Sequence, residues 1–468
     1  MFFGFVRMYP CAVQFFSRSK GICQGVLDFY FDAQEGHEDI YAQLERIVNA
    51  HQIGFNKISS YSADNAPVNY GRWHSVYQKL KEKNGFIVKA NCNCHVLHNS
   101  VKHSLPSLSY DVEGLVLKVY SEFSGCPQNC EELKEFFEFV ELQYCKILRH
   151  VPTRWLSLLA AVERLLQCWP AIKSYFMSQD KKNLHKIVKK FVFSCSDDDA
   201  KSEGIAECYL YFIHNVMQEL DAAVKKLEAK EVCASEIYSI MSAVLNSIQS
   251  RISDKFYGIR ASQISSTLEP SAVNKFNKEA NLFLKKMESY LQSNFDFSEG
   301  NILYSFGVLN CKENTLSFSF RELCSLYDKS GISVDQDKLY AEFVNLRANY
   351  CTLLSPEMSV SRKWLKFFET HESPLLFKLI SFVLSIPVSN AYAERVFSMM
   401  KHAWTDQRNS MSASLLKAEL QIRLNYDMSC VEFFNFLGKE ENVGVLQKAR
   451  GVEKYQKGDK VDAVKVTA

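Results

Sequence analysis

Four short clusters in the sequence have residue types and spacing that can do chemistry. Ser62-Ala-Asp64-Asn-Ala66 follows a strand-like run at 57–62, and a carboxylate just past a strand end can reach out and hold a divalent cation. The same aspartate is equally able to form its own turn or cap a helix. Cys92, Cys94, His95 and His98 are all of the zinc-ligating kind. Their Cys-x-Cys-His-x-x-His spacing is compressed for a tetrahedral site, however, and lacks a distant second pair. The competing reading pairs Cys92 with His95 as Cys-x-x-His after a strand, with Leu97 packing inward. Thr153-Arg154-Trp155 places a guanidinium beside an indole and says little alone. Ser389-Asn-Ala-Tyr-Ala-Glu-Arg-Val-Phe-Ser398 sets Glu394 one turn into a helix that Ser389 can cap. A glutamate there either ligates something or only favours the positive helix end.

These clusters need elements to hold them. Residues 9–16 and 22–31 are aromatic and β-branched runs separated by a polar turn at 17–21, which predicts a hairpin. Ile40, Leu44, Ile47 and Val48 mark one face of a helix; a strand at 57–62, a helix at 70–83 and a strand at 85–90 follow. The order β-β-α-β-α-β predicts an α/β sheet domain over 1–103. Residues 104–370 read as long amphipathic helices. One face carries Leu133, Phe136, Phe137, Val140, Tyr144, Ile147 and Leu148, and another Ile237, Met241, Val244, Leu245, Ile248 and Ile252. The polar stretch 194–204 reads as an exposed linker. Three helices, at 375–384, from Ser389 to about Trp404 and at 412–424, make a final unit over 371–440; a Lys-rich tail, 441–468, follows.

The composition, 47% hydrophobic and 23% charged, is that of a folded protein, and 468 residues suffice for two or three domains. A formal charge of +2 gives no bulk argument for nucleic-acid binding, which would require local patches. The 15 cysteines are scattered singly and read as reduced, buried thiols of an intracellular protein. The apolar N-terminus is broken by Arg7 and Pro10, which argues against a signal peptide, and the apolar run at 375–388 contains Lys378 and Pro387 and is too short to span a bilayer.

Taken in order, Asp-Asn-Ala after a strand, Cys-x-x-His-x-Leu, Thr-Arg-Trp and the far-downstream block 384–398 resemble the landmarks of hAT-family DNA transposases over nearly the whole chain. The resemblance implies α/β plus all-α architecture: a ribonuclease-H-like domain interrupted by a large helical insertion and closed by C-terminal helices. In the family two aspartates and a glutamate bind metal ions for DNA strand cleavage and transfer. Matched onto this chain, Asp64 takes the place of the second aspartate and Glu394 that of the glutamate, with His95 near the scissile phosphate. Arg154 and Trp155 fall in the insertion, where an aromatic stabilises an unstacked base. The resemblance also implies a nuclear protein that forms homo-oligomers through its C-terminal region, with Val396, Phe397, Met400, Leu416 and Leu420 as the candidate contact residues.

The chain departs from the family at one decisive place. The first aspartate belongs on a strand ahead of residues 9–16, and Met1 to Met8 contain no acidic residue. The expectation is therefore a ribonuclease-H-like domain lacking its first strand, without catalysis and without a cofactor; magnesium or manganese enters only if activity persists, with Asp28 as the substitute third ligand. A zinc finger of the type that reads DNA ahead of such domains is not among these residues. Protein association is the leading functional reading. Metal-dependent DNA cleavage and joining is the alternative, and passive DNA binding through Lys181-Lys182, Lys189-Lys190, Lys225-Lys226 and Lys285-Lys286 is a third.

Overall fold

The computed structural model describes residues 2–3, 6–32, 34–152, 157–193, 204–311, 316, 318–350, 357–405, 411–426 and 428–450. The chain divides into two compact units: residues 1–13, 24–31 and 395–468 form one, and residues 14–23 and 32–394 the other.

The predicted hairpin forms and is longer than its sequence signal. Strand β1 (Phe2–Phe3) pairs antiparallel with β2 (Val6–Ser17), and β3 (Gly21–Asp32) is the next neighbour. The other two strands are short: β4 (Ser60–Tyr61) and β5 (Val88–Lys89) pair in parallel, with Ser60 opposite Val88. The single sheet expected from the element order is thus in two pieces among the described residues, because no strand bridges β1-β2-β3 to β4-β5.

Around β4 and β5 lie α1 (His37–Ala50), α2 (Pro67–Tyr70), α3 (Val76–Lys83) and α4 (Asn93–Ser104). The helix predicted over 70–83 is two helices, α2 and α3, interrupted at 71–75, where Ser75 starts afresh by accepting a hydrogen bond from Gln78 N–H. Successive residues of a strand face opposite ways. Accordingly Ile87 joins Tyr41, Val76 and Leu80 in a small core, while Val88 belongs to the main core with Cys92, Val96 and Leu97.

The rest of the larger unit is helical. It runs through α5 (Val112–Ser124), α6 (Pro127–Phe139), α7 (Ser157–Ser178), α8 (Lys186–Phe193), α9 (Ile205–Glu228), α10 (Ala234–Asp254), α11 (Ile259–Ser265) and α12 (Pro270–Asn294). Then come α13 (Ile302–Phe306), α14 (Phe320–Lys329), α15 (Gln336–Ala348), α16 (Val360–Thr370) and α17 (Pro374–Leu384). Helix α9 buries residues on nearly every side, including Tyr209, Leu210, Phe212, Ile213 and Met217, and so forms the centre of this block. The helix face drawn from Leu133 to Leu148 is too long: α6 stops at Phe139, Glu141 adopts φ 54°, and Tyr144, Ile147 and Leu148 lie in irregular chain. Of the predicted linker 194–204, only Gly204 is a described residue, with φ 103° ahead of α9. No helix among the described residues is long and apolar enough to cross a membrane.

Helix α18 (Ala391–Ala403) runs out of this unit into the smaller one, which also holds α19 (Ala413–Asn425), α20 (Cys430–Leu437) and α21 (Val443–Arg450). Helix α21 forms within the segment expected as a tail; residues 451–468 lie outside the described residues. Strand β3 is a sheet edge, and an edge leaves backbone donors and acceptors unpaired. Helix α19 covers it with side chains. Asn425 Oδ1 accepts from Val26 N–H (2.8 Å) while its Nδ2 donates to Val26 C=O (2.8 Å). One turn back, Gln421 Nε2 donates to Leu27 C=O (2.9 Å), and one turn further Lys417 forms an ion pair with Asp28. Gly25 allows this approach, since a Cβ there would meet Asn425 Oδ1 at 2.9 Å.

Asn425→Ala removes both bonds to Val26 and is expected to cost about 1–3 kcal/mol. Hydrogen exchange at the Val26 amide checks it: faster exchange is expected, and an unchanged rate refutes the edge-covering role.

Candidate functional site

Three of the four chemical clusters come together inside the larger unit, where small polar side chains stitch them. Ser59 Oγ meets Ser385 Oγ at 2.7 Å, and Ser62 Oγ donates to Asn390 Oδ1 at 2.8 Å, joining the end of β4 to the start of α18. Asn65 Nδ2 reaches Cys92 C=O (3.5 Å), and Asn93 Nδ2 donates to Val388 C=O (3.0 Å), joining the start of α4 to both. The Asn390 N–H donates to Cys92 Sγ at 3.3 Å. The stretches around residues 62, 92 and 390 are therefore one corner, built from two strand ends and two helix N-termini.

Asp64 lies beyond the end of β4 and is exposed. Its Oδ1 accepts from Asn69 Nδ2 (2.7 Å) and from Ala66 N–H (3.3 Å), which makes it the former of its own turn. Asn69 is held in turn by the Tyr61 hydroxyl, which donates to its Oδ1 at 2.8 Å. Glu394 sits in the first turn of α18, exposed, with its N–H closing the first helical bond to Asn390 C=O. The sequence signal for a cap at Ser389 is met in part: its Oγ accepts from Ala391 N–H (3.4 Å) and donates to Leu227 C=O (2.9 Å).

Cys92 is the N-cap of α4 and is fully buried. Burial opposes charge on its sulfur, but hydrogen bonds from Cys94, His95 and Asn390 N–H outweigh that cost and hold the thiol well below its ordinary range. Cys94, donating to Cys92 and itself buried, is pushed the other way. His95 is pulled down by burial, yet its hydrogen bond to Cys92 and the charges of Cys92, Glu394 and Asp64 raise it above the usual imidazole value. Asp64 and Glu394 thus act on one histidine. The Cys92 sulfur, with no exposed surface, is a hydrogen-bond hub and not an accessible nucleophile.

The zinc reading of this stretch fails on direction. His98 points its Nε2 at Pro152 C=O (3.2 Å), while the Cys92 sulfur is occupied by Asn390, Cys94 and His95. Among the described residues, no group of three or more His, Cys, Asp and Glu side chains is arranged to hold a metal ion. Asp28, the substitute third ligand, forms an ion pair with Lys417. Arg154 and Trp155 lie outside the described residues. His150, just before them, is buried between Glu113 Oε1 (3.0 Å) and Ser157 Oγ (2.9 Å).

Several of the basic residues proposed for DNA have partners within the chain. Lys190 Nζ donates to Ser109 C=O (2.7 Å), Lys181 lies over the Phe193 ring, and Lys225 pairs with Asp221 one turn away.

The C-terminal contact residues separate into two kinds. Val396, Met400, Leu416 and Leu420 have no exposed surface in a single chain, and half-buried Phe397 packs edge-on to Tyr9. These side chains fill the smaller unit's own core. A second set, which the sequence reading did not single out, faces outward: Leu415 (57% exposed) and Ile422 (60%) share one face of α19, and Tyr426 (61%) is the residue that ends it. Next comes α20, whose Cys430, Val431, Phe433, Phe434, Phe436 and Leu437 leave no residue of that helix buried. Ser429 and Glu432 close a capping box at its start, a signal that was present in the sequence.

Residues 337–426 match the family model described as the hAT family C-terminal dimerisation region. The match begins in α15 and ends just after α19. No curated protein matches the chain.

Carbon-13 histidine titration should place the His95 midpoint above the ordinary value of about 6.5. Because its folded pKa is raised, the stability it contributes is full below the unfolded value and is lost as pH rises through the folded one. In Cys92→Ala the midpoint should fall, since burial then acts with less opposition. A midpoint that does not move would remove Cys92 as the hub.

Proposed function

We propose that this hAT-transposase-like chain acts by self-association through its C-terminal helices, and that the Asp64–His95–Glu394 corner is retained as a ribonuclease-H-like structural remnant without cleavage activity. The observation that carries the first part is the outer stripe of α19 continued by α20, within and directly after the matched dimerisation region. Phe434 is 76% exposed and Val431 68%. An eight-residue helix is too short to persist in water on propensity alone and needs an apolar partner. Burying a large apolar side chain contributes about 1.5–3 kcal/mol. A two-fold contact uses each residue twice. Leu415, Ile422, Tyr426, Val431 and Phe434 are the exposed side chains whose burial would offset an association cost of about 4–15 kcal/mol.

The second part is supported by Asp64's commitment to its own turn and by the ion pair that engages Asp28, the substitute third ligand. The opposing reading, an active metal-dependent DNA-cleaving enzyme, draws on one observation: both carboxylates act on His95 in a corner that remains fully stitched.

Light scattering of the purified protein at micromolar concentration should give a dimer. Ile422→Asp with Phe434→Asp should give a folded monomer whose thermal midpoint no longer depends on protein concentration. By contrast, Leu416→Ala should lower stability by about 2–5 kcal/mol, as core truncations do. A monomeric parent protein rejects the association reading. For the corner, nicking of supercoiled DNA in magnesium or manganese should not exceed that of an Asp64→Ala, Glu394→Ala double variant; clear excess in the parent would falsify the remnant reading.

A further inference from the structure

Ser157 Oγ holds the end of the irregular segment after α6 to the start of α7, and two more contacts fasten its middle to that helix. Arg164 Nη1 donates to Lys146 C=O at 2.7 Å, and Cys145 Sγ lies 3.2 Å from Cys168 Sγ. Cys168 is fully buried on α7, whereas Cys145 is half-buried at the edge of the segment. Burial first, and then the contact with Cys145, raise the Cys168 thiol to about 12 against the opposing Arg164 guanidinium.

We infer that Cys145 and Cys168 form a thiol–disulfide site, with Cys145 as the entry thiol for a disulfide or peroxide oxidant of low molecular weight and Cys168 as the resolving thiol. Three observations point to this division of labour. The two sulfurs are already in contact, so closing to a bond length of about 2.05 Å requires a shift of little more than an ångström. Only one of them reaches the surface, so only one can meet the oxidant. The other close thiol pair, Cys92 and Cys94, has no exposed surface on either residue, which denies an oxidant entry there.

With glutathione disulfide the chemistry balances in two exchanges. The Cys145 thiolate attacks one sulfur of glutathione disulfide, forming a mixed disulfide and releasing one glutathione thiolate. Cys168, losing its proton to solvent or to that thiolate, attacks Cys145 Sγ and releases the second glutathione. Two protein thiols are oxidised to one disulfide, and one glutathione disulfide is reduced to two thiols. The bond would pin the segment that continues through buried His150 to Pro152, whose carbonyl meets His98 on α4. Oxidation would therefore stiffen a segment connected to the helix that carries Cys92 and His95. This site is independent of the association reading, because it lies in the larger unit.

The test treats the full-length protein with glutathione disulfide, blocks remaining thiols by alkylation and maps the peptides without reduction. A cross-linked peptide pair joining Cys145 to Cys168, two hydrogens lighter than the sum of the parts and reversed by dithiothreitol, is expected. Cys145→Ser should abolish it. Cys168→Ser, if it folds, should instead trap the Cys145–glutathione mixed disulfide. Slower hydrogen exchange across 141–152 should accompany oxidation of the parent only. The inference is overturned if Cys145 is alkylated as fast after oxidation as before. A cross-link from Cys145 to any other cysteine, or one that survives Cys145→Ser, overturns it equally.

Discussion

The closure at Ser385–Asn390 is the constraint on which the larger unit depends. Everything from α5 to α17 is a long excursion between α4 and this turn, and its ends must be brought back to the strand ends at an entropic cost. The return is not made by a strand joining a sheet. Ser59 with Ser385, Ser62 with Asn390, Asn93 with Val388 and the Asn390 N–H with Cys92 Sγ make it instead. Gln14, at the tip of the β2–β3 hairpin, adds bonds to Leu384 and Ile386 C=O. Short side chains suit this task because they lose little rotamer freedom when fixed. The strand pair they reinforce is only two residues long, and β4 and β5 would be marginal without them.

That closure also explains the chemistry of the corner. A buried sulfur at a helix N-cap is surrounded by donors: the Asn390 amide, the Cys94 thiol and the His95 ring. Burial alone would push the Cys92 thiol up and the His95 ring down; their mutual hydrogen bond moves each the other way. The arrangement holds α4 to α18 and, through His95, registers the charges of Asp64 and Glu394. An intact corner is thus accounted for by structural need, without requiring that the carboxylates do chemistry.

How much of this the sequence disclosed depends on how local each cause is. The hairpin, α1, α10 and α17 were legible because their apolar periodicity is unbroken and their turns are close by. The end of α6 was not: it is set by Glu141 in a left-handed conformation, a residue type with no preference for that region, while the apolar pattern runs on through Tyr144 and Ile147. The break between α2 and α3 was masked by a continuous polar-apolar mix. At the corner, Asp64, His95 and Glu394 were identified from motif order, but Ser62, Asn93 and Asn390, which hold the corner together, carry no signal outside the fold. The split of the sheet into two pieces is likewise a question of which strands find partners, not of any residue's propensity.

Helix α19 shows most directly how the C-terminal apolar residues divide between tasks. Its sequence supplies three stripes with three different tasks. Leu416 and Leu420 enter the core; Lys417, Gln421 and Asn425 cover the edge of β3; Leu415, Ile422 and Tyr426 face outward. A periodicity reading finds apolar residues on this helix but cannot tell which stripe a neighbour already occupies, since that neighbour is a hairpin distant in sequence. Once β3 and the core claim two stripes, the third is left with α20 to bury. The residues that fill the smaller unit's core and those that the proposed association would use are therefore different residues of one helix.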